Sequence, residues 1–214
     1  MPDLHAKMLL VEGPDDGHFV YHVCERLGLG VVPREGVAAP EHVLILPAGD
    51  VQRVGSALHG LLDQATVAVV GVIVDHDDPD NIAAQEDRWE MLRGTLLGKG
   101  YDAPEELRPD GLVLEHGGPA HPRVGVWIMP DKQTPGMLET FVQQLVREGD
   151  GLMAHARSVV AGLPSPREFS DAHTAKAETH TYLAWQKTPG LPMGQALKQR
   201  VYSLNTPAGQ AFAA

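Results

Sequence analysis

The sequence predicts a three-layer α/β fold around a mainly parallel sheet, with an α-helical C-terminal extension. Three observations carry that expectation. Short apolar runs rich in β-branched residues alternate with stretches of helical periodicity. The run Val67 to Val74 is apolar almost throughout, as a strand covered on both faces must be. Beyond Asp150 the apolar pattern is helical, broken by Pro164, Pro166, Pro189 and Pro192. Alternating strands and helices imply parallel strands joined by crossover helices that cover both sides of one sheet.

The elements follow in order. Lys7 to Gly13 contains Met8-Leu9-Leu10-Val11 and closes on Glu12-Gly13-Pro14, a buried strand stopped by a turn. From Asp15 the spacing predicts a helix with Phe19, Val20, Val23, Cys24 and Leu27 inward and Gly28 and Gly30 beyond its end. His42 to Leu46 reads as a second strand and Asp50 to Leu62 as a helix capped by Asp50. Val67 to Val74 is the central strand, and a helix from Asn81 to Leu97 follows with Trp89, Leu92 and Leu96 inward. Strands are expected at Gly111 to Glu115 and Val124 to Met129, then a helix over Gly136 to Arg147 that buries Leu138, Phe141, Val142 and Leu145. Gly- and Pro-rich loops lie at Val32 to Pro40 and His116 to Pro122.

The chain has 214 residues, room for one sizeable core with a helical appendage but cramped for two independent domains. We therefore read an α/β domain over 1–150 and a helical extension over 151–214 packed on it. Apolar residues make up 43% and charged residues 21%, which excludes a disordered chain. A net charge of -11 argues against a protein that coats nucleic acid through clustered Lys and Arg. It does not exclude a nucleic-acid enzyme, because a bound cation turns an acidic site into one that attracts phosphate. Cys24 is the only cysteine, so neither an intrachain disulfide nor a cysteine zinc cluster can form. The first residues lack the pattern of a signal peptide and the longest apolar stretch, Ala65 to Val74, is too short for a bilayer. The expectation is a cytoplasmic protein with no membrane partner.

Ligands of open parallel sheets sit outside the carboxyl ends of the strands, where strand order reverses. Glu12 ends the first strand, and Asp75, Asp77 and Asp78 end the central one. Asp16 falls in the first turn of the next helix and can face the same crevice. Clustered carboxylates repel one another, and a hard cation with oxygen ligands, Mg²⁺ or Mn²⁺, relieves that repulsion. Asp78 reads as a turn residue before Pro79, and Asp131 as a turn cap. Of the 11 histidines, His18 and His22 have helical i, i+4 spacing, but His22 is placed on the polar face and no further zinc ligands accompany it. Trp127, Tyr182 and Trp185 are expected in the core. No Gly-x-Ser-x-Gly element and no Walker-type loop occurs, which argues against serine hydrolysis and ATP hydrolysis by this chain.

Leu-Val-Glu-Gly-Pro-Asp-Asp-Gly-His-Phe at 10–19 and Val-Asp-His-Asp-Asp at 74–78 resemble the paired acidic motifs of Toprim domains, Glu-Gly and Asp-x-Asp. The spacing of Glu12 and Asp16 is most similar to OLD-type nucleases and related stand-alone bacterial proteins. Val-Gly-Val-Trp-Ile-Met-Pro-Asp at 124–131, Gly-Met-Leu-Glu-Thr-Phe at 136–141 and Lys-Ala-Glu-Thr-His-Thr-Tyr-Leu-Ala-Trp-Gln at 176–186 are similar to an uncharacterised Toprim-related bacterial family. The resemblance implies a Toprim-like, Rossmann-like sheet and Mg²⁺- or Mn²⁺-dependent phosphodiester chemistry on DNA or RNA, beside a separate ATPase as in OLD-like systems. It implies metal ligation by Glu12, Asp16, Asp75, Asp77 and Glu139, and catalytic roles for Glu12 and Lys176. The alternative it leaves open is a non-catalytic module that binds a phosphate-bearing ligand or a partner protein through its metal.

Overall fold

The computed structural model describes residues 7–31, 41–76, 88–108, 111–118, 121–131 and 134–213. In chain order these form β1 (Lys7–Val11), α1 (Pro14–Arg26), β2 (Val43–Pro47), α2 (Val51–Leu62), β3 (Val69–Asp75), α3 (Arg88–Gly98), β4 (Leu112–Leu114) and β5 (Arg123–Met129). Then follow α4 (Leu138–Gln144), α5 (Gly151–Ala161), a 3₁₀ turn at Asp171–His173, α6 (Thr174–Ala184), α7 (Met193–Lys198) and α8 (Pro207–Ala213).

The five-stranded sheet has the order β2-β1-β3-β5-β4. β1 pairs in parallel with β2 and β3, and β3 with β5, whereas the short edge strand β4 runs antiparallel to β5. The mainly parallel three-layer architecture expected from the alternation is the one observed. A short antiparallel edge is accommodated because only residues 115–122 separate β4 from β5, too few for a crossover helix.

Side-chain alternation assigns the two faces. Met8 and Leu10 of β1 and Val70, Val72 and Val74 of β3 pack with Val54, Leu58, Leu61 and Leu62 of α2 and with Trp89, Leu92 and Leu96 of α3. On the opposite face Val11 and Ile73 pack with Phe19, Val20 and Val23 of α1 and Phe141 and Val142 of α4. That cluster also contains Met153 and Ala156 of α5, Tyr182 and Leu183 of α6, and Ala196 and Leu197 of α7. The C-terminal helices thus share a core with one side of the sheet.

Several local expectations are corrected. Leu27 caps α1 and is 40% exposed, because the helix has ended and the chain turns away at Gly28, whose φ is +72°. The helix read over Gly136 to Arg147 is only α4. The N–H of Met137 donates to Thr140 Oγ1 at 3.3 Å, and a Cβ at Gly136 would lie 2.6 Å from that oxygen, so the entry to the helix demands glycine. Trp185 is 38% exposed, since it follows the last residue of α6 and stacks on His155 with ring centroids 5.2 Å apart. Trp127 and Tyr182 are buried. The loop at Val32 to Pro40, Asp78, and the first part of the helix read from Asn81 lie outside the described residues.

Candidate functional site

Strand order reverses between β1 and β3: the chain passes from β1 outward to β2, then returns across β1 to β3. This is the switch point at which an open α/β sheet offers a crevice. Glu12 is the first residue after β1, and Asp75 is the last of β3. The N–H of Asp75 donates to Glu12 Oε2 at 3.4 Å. Asp75 has the parity of Ile73, so its side chain leaves the sheet on the side of α1 and α4.

Both helices contribute to that side. Asp16 lies in the first turn of α1 and accepts the N–H of Gly13 at 2.8 Å, a local bond that fixes its carboxylate over the strand end. Pro14 begins the helix, where a missing N–H costs nothing. On α4 the N–H of Leu138, unused by the helix, favours the charged form of the Asp75 carboxylate. Glu139 is only 5% exposed, a burial that an acid on a first helical turn does not ordinarily show.

The carboxylates act on one another. Burial pushes Asp16 from its ordinary 3.8 up to about 6; the Gly13 N–H works against this, and the charges of Glu12, Glu139 and Asp15 work with it. Asp75 is raised well above the usual carboxylate range, first by burial and then by Asp16, Glu12 and Glu139, with the Leu138 N–H offsetting part of the rise. Lys176 of α6 places its Nζ 3.4 Å from Glu139 Oε1, with its own side chain half exposed. The contact is held by Thr179 Oγ1 donating to the Glu139 carbonyl at 3.4 Å, and by Gln143 Nε2 donating to the Ala175 carbonyl at 3.0 Å and to Glu178 Oε2 at 3.1 Å.

Of the residues singled out in the sequence, Glu12, Asp16, Asp75, Glu139 and Lys176 therefore meet at one edge, while Asp77 lies outside the described residues. The donor set is oxygen only, which suits a hard divalent cation in kind. Among the described residues no group of three or more His, Cys, Asp or Glu side chains is arranged to hold a metal ion. The described acids share an electrostatic field.

Other side chains depart from their sequence reading. His22 is buried rather than on a polar face: its Nδ1 is 2.6 Å from Glu25 Oε2 and its Nε2 is 3.1 Å from Gln195 Nε2, because α7 packs over that side of α1. Asp131 accepts the N–H of Thr134 at 2.6 Å. Tyr202 was not anticipated. It is 1% exposed, its hydroxyl has no hydrogen-bond partner among the described residues, and burial pushes its pKa far above the usual phenol value, with Tyr182 and Glu139 adding to the rise. No local pattern marks a tyrosine so distant in sequence as a neighbour of Glu139. No described helix is long and apolar enough to cross a membrane.

A family model described as "Protein of unknown function (DUF3226)" matches residues 6–214. No curated protein and no solved structure matches the chain.

Proposed function

We propose, on the premise that the chain belongs to this family of unknown function, that it is a divalent-cation-dependent hydrolase of phosphodiester bonds in nucleic acid, with Mg²⁺ or Mn²⁺ as its metal. The observation that carries the reading is the convergence of Asp75 and Asp16 at the switch point of the sheet, both raised by burial and by the charges of Glu12 and Glu139, with Asp16 adding to the rise of Asp75. Folding carboxylates into mutual repulsion costs stability unless something else is meant to neutralise them, and a hard cation does so with oxygen ligands. A bound cation supplies charge stabilisation for the phosphoryl oxygens and lowers the pKa of water.

The protein groups then have distinct tasks. Glu12, Asp16, Asp75, Asp77 and Glu139 are the ligands proposed for the cation. Glu12, oriented by the Asp75 N–H, also stands as the base that takes a proton from the attacking water. The water oxygen bonds to phosphorus, the bond from phosphorus to the leaving oxygen breaks, and that oxygen is released with the proton that Glu12 took from the water, which restores the carboxylate. Lys176, half exposed beside Glu139, offsets charge on the phosphate.

A second reading has a specific observation in its favour. The net charge of -11, which leaves no surplus of Lys and Arg to track a nucleic-acid backbone, favours a module that binds a phosphate-bearing ligand or partner protein through a cation without cleaving it. Purified protein incubated with DNA and RNA in Mg²⁺ or Mn²⁺, beside Asp75→Asn, separates these. Metal-dependent cleavage lost in the variant supports hydrolysis; metal-dependent binding without cleavage supports the second reading; cleavage retained by the variant overturns this site.

A further inference from the structure

Beside the acidic edge lies a cleft of about 360 Å³, bounded by the end of β3, the entry to α4 and the start of α6. Its wall includes His76, Met137, Thr140 and Ala175. Each is a chain neighbour of a group already placed at the edge: His76 follows Asp75, Met137 precedes Leu138, Thr140 follows Glu139, and Ala175 precedes Lys176. A phosphate at the acids would therefore have the cleft within the reach of one nucleoside. The volume stands at the small end of the ~300–1,000 Å³ typical of small-molecule sites.

The charges on the wall restrict what can enter. Asp171 and Glu178 also line the cleft. Asp171 is paired with Arg167, and Glu178 with Arg157 at 3.7 Å, so the nearby guanidinium groups are already engaged. A second phosphate entering the cleft would meet carboxylates whose cations are spent. Duplex DNA carries one negative charge per ~1.7 Å of axis and needs Lys and Arg along its track. The net charge of -11 provides no surplus of cations for such a track.

We infer that the cleft seats one nucleoside, so that the site takes a single nucleoside monophosphate unit with its phosphate at the acidic edge. Two sources share that chemistry, a free nucleotide and the terminal nucleotide of a single strand. The wall suits the nucleoside: His76 offers a ring to a base, Met137 an adaptable thioether, and Thr140, Asp171 and Glu178 accept hydrogen bonds from sugar hydroxyls and base amino groups. This inference rests on the reading that the edge holds a divalent cation.

The test uses the full chain in Mn²⁺ with five ligands: a nucleoside 5′-monophosphate, a linear single-stranded oligonucleotide, the same strand circularised, a blunt duplex and inorganic phosphate. Mn²⁺-dependent binding is followed by calorimetry and any cleavage by product size. The expected result is binding of the mononucleotide or of the linear strand at least tenfold tighter than of the circle, the duplex or phosphate, with mononucleotides as the product of any cleavage. Preference for the linear strand over the mononucleotide identifies the strand end as the source, and the reverse identifies the free nucleotide. Ala175→Trp, or Ala172→Trp if the first does not fold, fills the cleft and should weaken that binding at least tenfold with Mn²⁺ affinity unchanged. Equal binding of circle or duplex, failure of both nucleotide ligands to bind, or a folded Trp variant with full affinity overturns the inference. Undiminished Mn²⁺ affinity in Asp75→Asn overturns the metal reading instead, so the two failures are distinguishable.

Discussion

The backbone N–H of Asp75 donates to Glu12 Oε2 at 3.4 Å, joining the carboxyl ends of β3 and β1 across 63 residues of sequence. That bond spans the switch point of the sheet, and around it Asp16 and Glu139 add their charge. Repulsion stored at this point makes stability depend on pH, and under the proposed metal reading on divalent cation as well.

Stability in the absence of divalent cations should fall as pH rises from about 4 to about 6. Asp16 has an ordinary value of 3.8 and a native value of about 6, so the native state holds its proton more tightly than the unfolded chain does. Its contribution is fully present below 3.8 and lost through 6, by about 3 kcal/mol at most. Asp75 is raised as well and acts with the same sign. Denaturant unfolding in EDTA at several pH values, compared with Asp16→Asn, isolates the effect; a variant with the same pH slope as the parent contradicts it.

At pH 8, Mg²⁺ or Mn²⁺ should raise the melting temperature. Cation at 100 times its Kd adds about 2.7 kcal/mol, which for a chain of this size corresponds to roughly 5–10 °C. Asp75→Asn removes the like charge as well as the ligand. It should melt above the parent in EDTA and show no shift on adding metal, a reversal of order that scanning calorimetry detects directly.

Lys176→Ala should separate stability from activity. The lysine is half exposed beside a buried Glu139, so solvent screening limits the loss of stability to under about 1 kcal/mol. Activity on a phosphodiester substrate should fall at least tenfold. Full activity in a folded Lys176→Ala protein removes the lysine from the mechanism.

Phe141→Ala should cost about 3–5 kcal/mol. The ring is fully buried under α4, edge-on to Phe19 at 6.1 Å and Trp127 at 6.2 Å, with Phe212 at 5.0 Å. Because this packing holds the helix that carries Glu139, a weakened metal response should accompany the lower denaturation midpoint.

Gly194→Ala tests the seam between α1 and α7. A Cβ there would lie 2.7 Å from the carbonyl oxygen of His18 and 2.9 Å from His22 Cδ2. The carbonyl belongs to a helix and cannot rotate away, so α7 must shift, at a cost of about 1–3 kcal/mol. A thermal melt within about 1 °C of the parent would falsify the close approach.

Much of the fold was legible because its signals are local. The β-branched run of β3, the Asp50 cap of α2 and the inward faces of α1 and α3 are patterns within a dozen residues. Boundaries moved where a turn decided them, as at Gly136, whose close approach to Thr140 shortens α4, and at Leu27, which falls past the end of α1. The antiparallel direction of β4 was hidden, since nothing in Leu112–Leu114 states which way the strand runs.

The sequence by itself determined that acids would stand at the ends of two buried strands: Glu12 and Asp75 follow apolar runs that can only be interior, and Asp16 sits within one helical turn of Glu12. Tertiary structure alone decided which other groups meet them. The burial of Glu139 depends on α6 lying across α4, the ion pair with Lys176 on the same packing, and the nearness of Tyr202 on how the C-terminal segment returns to that core. The burial of His22 likewise depends on α7 crossing α1 at Gly194. A local pattern can set a residue's phase on its own element, but the field and the dielectric around it are set by elements packed there from far along the chain.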